Sequence, residues 1–209
     1  HENVDLNTVE PDAEAAAYIQ TITDKFDALQ KQVVAKTSVE LTINGADGKR
    51  AVRNAETNLG DLCADAYRIL LGADIAFVNG GVEVTGQQIK DALELGSAAY
   101  PGESGGFLQV SGLTYTINAD IPSSVVKNDK SEFVKVDGAY RVSDIMVGGQ
   151  PLDVNKTYTL ASHNYMLKDA GDGYTMFGTK NVKVLQDEVM IDNQVLINYI
   201  VEKLGGVVG

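Results

Sequence analysis

The sequence predicts an α/β domain, α+β in strict usage, in which mixed β-sheets are flanked by helices. Two features carry that reading. Apolar residues recur at helical spacing in some stretches and alternate with polar residues in others, the two periodicities that separate helix from strand. These patterns are interleaved without the strict strand–helix–strand rhythm of an all-parallel sheet. At 209 residues, 44% of them hydrophobic and 22% charged, the chain suits one large domain or a domain plus an appendage.

Residues 1–10 are polar and without period, a tail or an arriving linker. Pro11, Asp12 and Glu14 then make a favourable first helical turn, because proline is tolerated there and acid suits the positive end of the helix dipole. Tyr18, Ile19, Ile22, Phe26, Leu29 and Val33 follow at helical spacing and predict a long amphipathic helix to about Ala35. It reads as a connector, so residues 1–36 are set apart from a domain over 37–209. Val39, Leu41 and Ile43 alternate with polar residues before Asn44-Gly45-Ala46-Asp47-Gly48, predicting a strand and a hairpin loop.

Leu59, Leu62, Cys63, Ala66, Ile69 and Leu70 share one helical face, with Thr57 or Asn58 as N-cap and Gly72 as stop. Residues 73–78 form a short apolar run ending in Asn79-Gly80-Gly81, a buried strand closed by a glycine loop. A helix over 87–96 stops at Gly96 and gives way to a loop rich in glycine and small residues. Strands are expected over 107–117, 141–147 and 156–162, the last ending in Asn164-Tyr165. An amphipathic helix over 189–204 closes the fold.

Composition narrows the function. The formal net charge is −12, the pI is near 4.5 and no Lys/Arg cluster interrupts the acidic average. Nucleic acid is therefore not an expected partner, although one well-placed arginine can still hold a small anion. No apolar run approaches the roughly 20 residues that span a bilayer. The chain opens His1-Glu2-Asn3, which reads as a fragment or a processed product. Cys63 is the only cysteine, so no intrachain disulfide forms; its place on the apolar helix face makes it a packing residue. The only histidines are His1 and His163. Hydrolytic metal centres need several His and carboxylate ligands at set spacings, so no cofactor is expected in this chain. His163 has no evident catalytic partner and reads as structural.

The stretch LASHNYMLKDAGDGYTMF, from Leu160 to Phe177, is the one most suggestive of a site. An aspartate between Gly171 and Gly173 is most simply a turn residue, and Tyr165 by itself a packing residue. Together they offer more: an aromatic face for a planar base, Asp172 as acceptor for ribose hydroxyls, and glycines that permit close approach. Asn79-Gly80-Gly81 is a second glycine loop at a strand end, without a Walker pattern. Arg53 lies just before a helix N-terminus, an arrangement that suits a phosphate, although an exposed surface arginine is the commoner case.

Five ordered stretches resemble the C-terminal domain of the 5′-nucleotidase family over about residues 37–180. They are Arg53-Asn-Ala-Glu-Thr-Asn-Leu-Gly-Asp-Leu62 with Ala64-Asp65-Ala66, Phe77-Val-Asn-Gly-Gly81, and Val84-Thr-Gly86 followed by Ala92-Leu93-Glu94. Gly106-Phe-Leu-Gln-Val-Ser-Gly-Leu113 and Asn164-Tyr165 with Gly171-Asp-Gly-Tyr174 complete the set. The resemblance implies α/β/β/α layering after a linker helix, and a domain that binds nucleotide or nucleoside. A separate N-terminal metallophosphatase domain, absent from this sequence, would hold two divalent metals and perform the hydrolysis. It implies roles for Tyr165 as one of two stacking aromatics, Asp172 as ribose acceptor, Asn79 in the pocket loop and Arg53 toward phosphate. Gly80, Gly81, Asn164 and Gly171 belong to the same motifs. The implied location is extracellular or the cell envelope.

Two departures stand out. Ala170 replaces the first glycine of the family's Gly-Gly-Asp-Gly. The segment that follows the glycine loop in the family, with a second arginine and the second aromatic, is missing between Gly81 and Val84. Either the chain lacks it, leaving a half-built base site that binds weakly or a surface module that has lost its pocket, or the sequence closes over a disordered loop. The intact flanking motifs favour the loop, which places a break between Gly81 and Val82 wider than the 3.80 Å of a trans peptide.

Overall fold

A computed structural model describes residues 9–78, 81–162, 164–187 and 190–209, apart from the side chains of Leu29 and Val78. In chain order the elements are α1 (Ala13–Gln30), β1 (Lys36–Thr37), α2 (Asn58–Leu71), β2 (Ile75–Val78), β3 (Gly81–Thr85) and α3 (Gly86–Gly96). Then come β4 (Leu113–Ile117), β5 (Val125–Lys127), β6 (Phe133–Val136), β7 (Val142–Val147), β8 (Gln150–Pro151) and β9 (Thr157–Ser162). The last are α4 (Asn164–Leu167), β10 (Lys183–Gln186), α5 (Asp192–Asn198) and β11 (Val207–Val208). The predicted mixed α/β class is what the fold shows.

The central sheet runs β10-β3-β9-β2, with β2 parallel to β9 and the other pairs antiparallel. Strand alternation gives it two apolar faces. Ile75 and Phe77 of β2, with Tyr158 and Leu160 of β9, enter the larger core, while Ala76 and Ala161 enter a second core against α2 and α5. Ile89, Ala92 and Leu93 of α3 are fully buried in the larger core, which also takes Val142 and Ile145 of β7. Each such Ile, Leu or Val side chain contributes about 1.5–3 kcal/mol by leaving water, before the entropy of ordering it is counted. The second sheet is β4-β7-β8, and β5–β6 is a separate hairpin.

Local chemistry sets the helix ends. The Thr57 hydroxyl accepts from the Gly60 N–H at 3.2 Å, and Gly72 stops α2 at φ 65°. Thr85 and Gln88 form a reciprocal capping box at the start of α3. Among the described residues, no helix is long and apolar enough to cross a membrane.

Several expectations are corrected. The first helix ends at Gln30 rather than Ala35, and Tyr18, Ile19, Ile22 and Phe26 on its stripe all stay more than half exposed. Periodicity marks a face suited to burial and says nothing about what covers it. Residues 39–43 form no strand; one bridge between Asn44 and Arg50 closes the turn, and the Thr42 N–H is taken by the Asn58 side chain at 2.9 Å. The strand expected over 107–117 is regular only from Leu113, with Ser111 bridging to Ala76. The closing helix is α5, continued by a wider π-type turn over Tyr199–Lys203; Val189 lies outside the described residues.

The expected break between Gly81 and Val82 is overturned. β3 runs through both, and they pair with the consecutive residues Ala161 and Leu160 of β9. Val82 and Val84 are buried by the same alternation, so the chain passes from the glycine loop directly into this strand.

Candidate functional site

The strand predicted to end in Asn164-Tyr165 ends at Ser162, and Tyr165 sits on the short helical turn α4. Buried Leu167 anchors that turn, its carbonyl accepting from the Gly178 N–H at 2.7 Å. The Asn164 amide donates to Asp187 at 3.1 Å, and Lys168 pairs with the same carboxylate at 2.7 Å. Asn164 thus ties the turn to the segment after β10. The same turn presents Tyr165, 58% exposed.

Beyond α4 the backbone turns back sharply. Ala170 and Asp172 both take φ 53° and Gly173 takes φ 81°, the left-handed region that L side chains enter at a cost of roughly 1–2 kcal/mol. Glycine would occupy the Ala170 position without that cost. Gly171 is glycine for a different reason. A Cβ there would lie 2.3–2.5 Å from three Tyr165 ring atoms, so the ring rests directly on the glycine backbone. The Tyr165 hydroxyl donates to the Asp172 carboxylate at 3.2 Å and accepts from the Asp172 N–H at 3.3 Å. Ring and carboxylate are held side by side on one surface.

Both line a cleft of about 610 Å³, within the ~300–1,000 Å³ of small-molecule sites. Ser104, Gly105 and Gly106 form a second wall, and Lys127, Lys130, Ser131 and Glu132 of the β5–β6 hairpin a third. Behind them Tyr174 is buried, stacked at 6.1 Å on Phe177, and donates its hydroxyl to the Gly106 carbonyl. Burial pushes the Tyr174 phenol well above its ordinary pKa, so it stays a neutral donor. The loop ahead of Gly106 is held by buried Arg141, whose guanidinium donates to the Ser97, Tyr100 and Ile121 carbonyls at 2.9–3.1 Å.

The structure therefore brings Tyr165, Gly171 and Asp172 together. Arg53 is exposed and outside the cleft lining; its carbonyl accepts from the Ser104 N–H at 2.9 Å. The Glu103 carboxyl beside it is held below its usual range, chiefly by a hydrogen bond from Arg50, with Arg53 a smaller contributor. Gly81 is a strand residue of β3 whose absent side chain faces Gln186 of β10. Asn79, Gly80 and His163 lie outside the described residues. Sequence reasoning missed Lys127 and Lys130 in the hairpin wall. The signal was Asn128-Asp129 between the apolar pair Val125-Val126 and Phe133, a turn dipeptide flanked by short strands. Among the described residues, no three His, Cys, Asp or Glu side chains stand together as a metal site.

Comparison with known proteins gives this geometry a family. Residues 81–179 match the profile of the 5′-nucleotidase C-terminal domain. The trifunctional nucleotide phosphoesterase protein YfkN of Bacillus subtilis is 28% identical over 206 residues, covering 80% of this chain and 13% of the relative. Protein UshA of Yersinia enterocolitica is 32% identical, covering 79% and 32%. Cell wall protein Lmo0130 of Listeria monocytogenes is 25% identical, covering 91% and 29%. The chain thus spans a third or less of the length of these relatives. A crystal structure of a 5′-nucleotidase precursor from Thermus thermophilus superposes with a TM-score of 0.67 at 24% identity, over 93% of this chain and 41% of that one. This chain belongs to the 5′-nucleotidase family and carries its C-terminal domain.

Proposed function

We propose that the domain recognises the nucleoside part of a nucleotide for a 5′-nucleotidase-like phosphoesterase. One observation carries the reading: the exposed Tyr165 ring and the Asp172 carboxylate are joined through the tyrosine hydroxyl on the wall of one cleft. The ring stacks on the base, an interaction worth about 1–3 kcal/mol, and the carboxylate accepts from the ribose hydroxyls. Two divalent metals on a domain outside this chain supply the hydrolytic chemistry. Binding at base and sugar positions phosphorus for attack elsewhere, so this chain alone shows no phosphatase activity with or without added metal. The names of the relatives, a nucleotide phosphoesterase and a cell wall protein, support the activity class and a place in the cell envelope or outside the cell.

Titration of the chain with adenosine and AMP tests this. Saturable binding, weakened at least tenfold by Tyr165→Ala and by Asp172→Ala, is expected. The expected affinity is low, because the unbroken β3 leaves no intervening segment to cover the second face of the base. That same feature favours a second reading, a surface module that has kept the fold and lost its pocket. Absence of binding at millimolar ligand would establish the second reading over the first.

A further inference from the structure

The hairpin wall of the cleft carries charge that the tyrosine–aspartate pair does not use. Its tip is fixed from within. The Asn128 side-chain oxygen accepts from the N–H groups of Lys130 and Glu132, each at 3.0 Å, and its amide donates to the Glu132 carboxylate at 2.7 Å. Ser131 completes the tip at φ 64°. It is also fixed from outside: a Cβ on Gly173 would lie 2.8 Å from the Ser131 carbonyl oxygen, and the Thr175 hydroxyl donates to the Phe133 carbonyl. The hairpin tip and the Gly-Asp-Gly turn are docked backbone to backbone, so one preorganises the other.

Lys127 and Lys130 line the cleft from this wall, together with Tyr165 and Asp172 of the Gly-Asp-Gly side. Neither takes part in an ion pair among the described residues. Glu132, the acid on the same wall, is committed to Asn128. Arg53, by contrast, is outside the lining and adds its field to Glu103. The same lining carries the carboxylates Glu132, Asp169 and Asp172, so the lysines act as a local pair on the hairpin wall at short range, while the diffuse acidic field of the chain is screened over a Debye length of about 10 Å in 0.1 M salt.

We propose that Lys127 and Lys130 form the anion-binding side of the cleft, so that its ligand is a nucleoside bearing a phosphate or equivalent anionic group. This rests on the nucleoside reading and moves the anion contact from Arg53 to the hairpin. The 209-residue chain is titrated calorimetrically with adenosine and with AMP, alongside the double variant Lys127→Ala/Lys130→Ala and the single variant Arg53→Ala. The protein should prefer AMP; the double variant should cut that preference about 3- to 10-fold while leaving adenosine affinity in place, and Arg53→Ala should change it little. Raising the salt should erode the AMP preference and spare adenosine. An unchanged AMP-to-adenosine ratio in the lysine variant, or loss of the preference through Arg53→Ala alone, overturns the lysine subsite while adenosine binding keeps the nucleoside reading intact. Failure of adenosine and AMP alike to bind overturns both.

Discussion

Tyr165 and Tyr174 sit nine residues apart, on either side of the Gly-Asp-Gly turn, and do opposite work. Tyr174 is 1% exposed, stacked on Phe177 and bonded to the Gly106 carbonyl; it builds the cleft. Tyr165 lies on Gly171 with its hydroxyl at Asp172; it is displayed by the cleft. The difference comes from what each ring meets. Tyr174 fills a hole among side chains from other elements, whereas Tyr165 is supported on one side by backbone and left open on the other.

The largest expected effect breaks or keeps that contrast outright. Tyr174→Ala removes a packed ring and should cost about 3–5 kcal/mol in chemical denaturation, whereas Tyr165→Ala should stay within about 0.5 kcal/mol of wild type. Comparable losses at the two positions would mean that Tyr165 is a core residue. Gly171→Ala sharpens the point. Its new Cβ forces the Tyr165 ring off the backbone, so nucleoside affinity should fall at least tenfold while the melting curve moves little. Affinity equal to wild type would show that the ring does not stack. The matched phenylalanine variants are gentler. Tyr174→Phe strips the Gly106 carbonyl of its donor and should cost about 1–3 kcal/mol. Tyr165→Phe loses only exposed contacts and should keep both stability and stacking.

Sequence legibility follows the same division between local and distant causes. Thr57, Gly72 and the stripe from Leu59 to Leu70 define α2 from its own residues, and the helix is where they place it. The apolar alternation of 141–147 and 156–162 likewise yields β7 and β9. The stripe of α1 is as regular, yet it stays exposed, because burial needs a partner that periodicity does not name. Within the site, Tyr165, Gly171 and Asp172 were legible as a group from residue type. Tyr165 was misplaced on a strand, since a four-residue helical turn has too few positions to show a period. The left-handed turns at Ala170 and Asp172 were hidden because non-glycine residues seldom adopt them. Lys127 and Lys130 were missed for the plainest reason: their hairpin reaches the cleft through contacts with Gly173 and Thr175, some 40 residues on.

The contrast between displayed and packed groups extends to the carboxylates, and there it gives the smallest effect. Asp172 is exposed beside the Tyr165 hydroxyl, whereas Asp61 in the first turn of α2 is partly buried near Glu56 and Asp65. A helix N-terminus favours an acid, but burial first, then the charges of Glu56 and Asp65, push the Asp61 pKa from 3.8 up to about 6. The folded chain therefore binds this proton more tightly than the unfolded chain. Stability from this group is complete below pH 4 and declines as the pH rises toward about 6, where the folded carboxyl ionises. Asp61→Asn removes that penalty. Since the group is largely solvated, the gain is modest: a melting temperature about 1–2 °C above wild type at pH 7–8, converging with wild type below pH 4. A lower melting temperature at pH 7 would show that attraction to the helix N-terminus outweighs the crowding by Glu56 and Asp65.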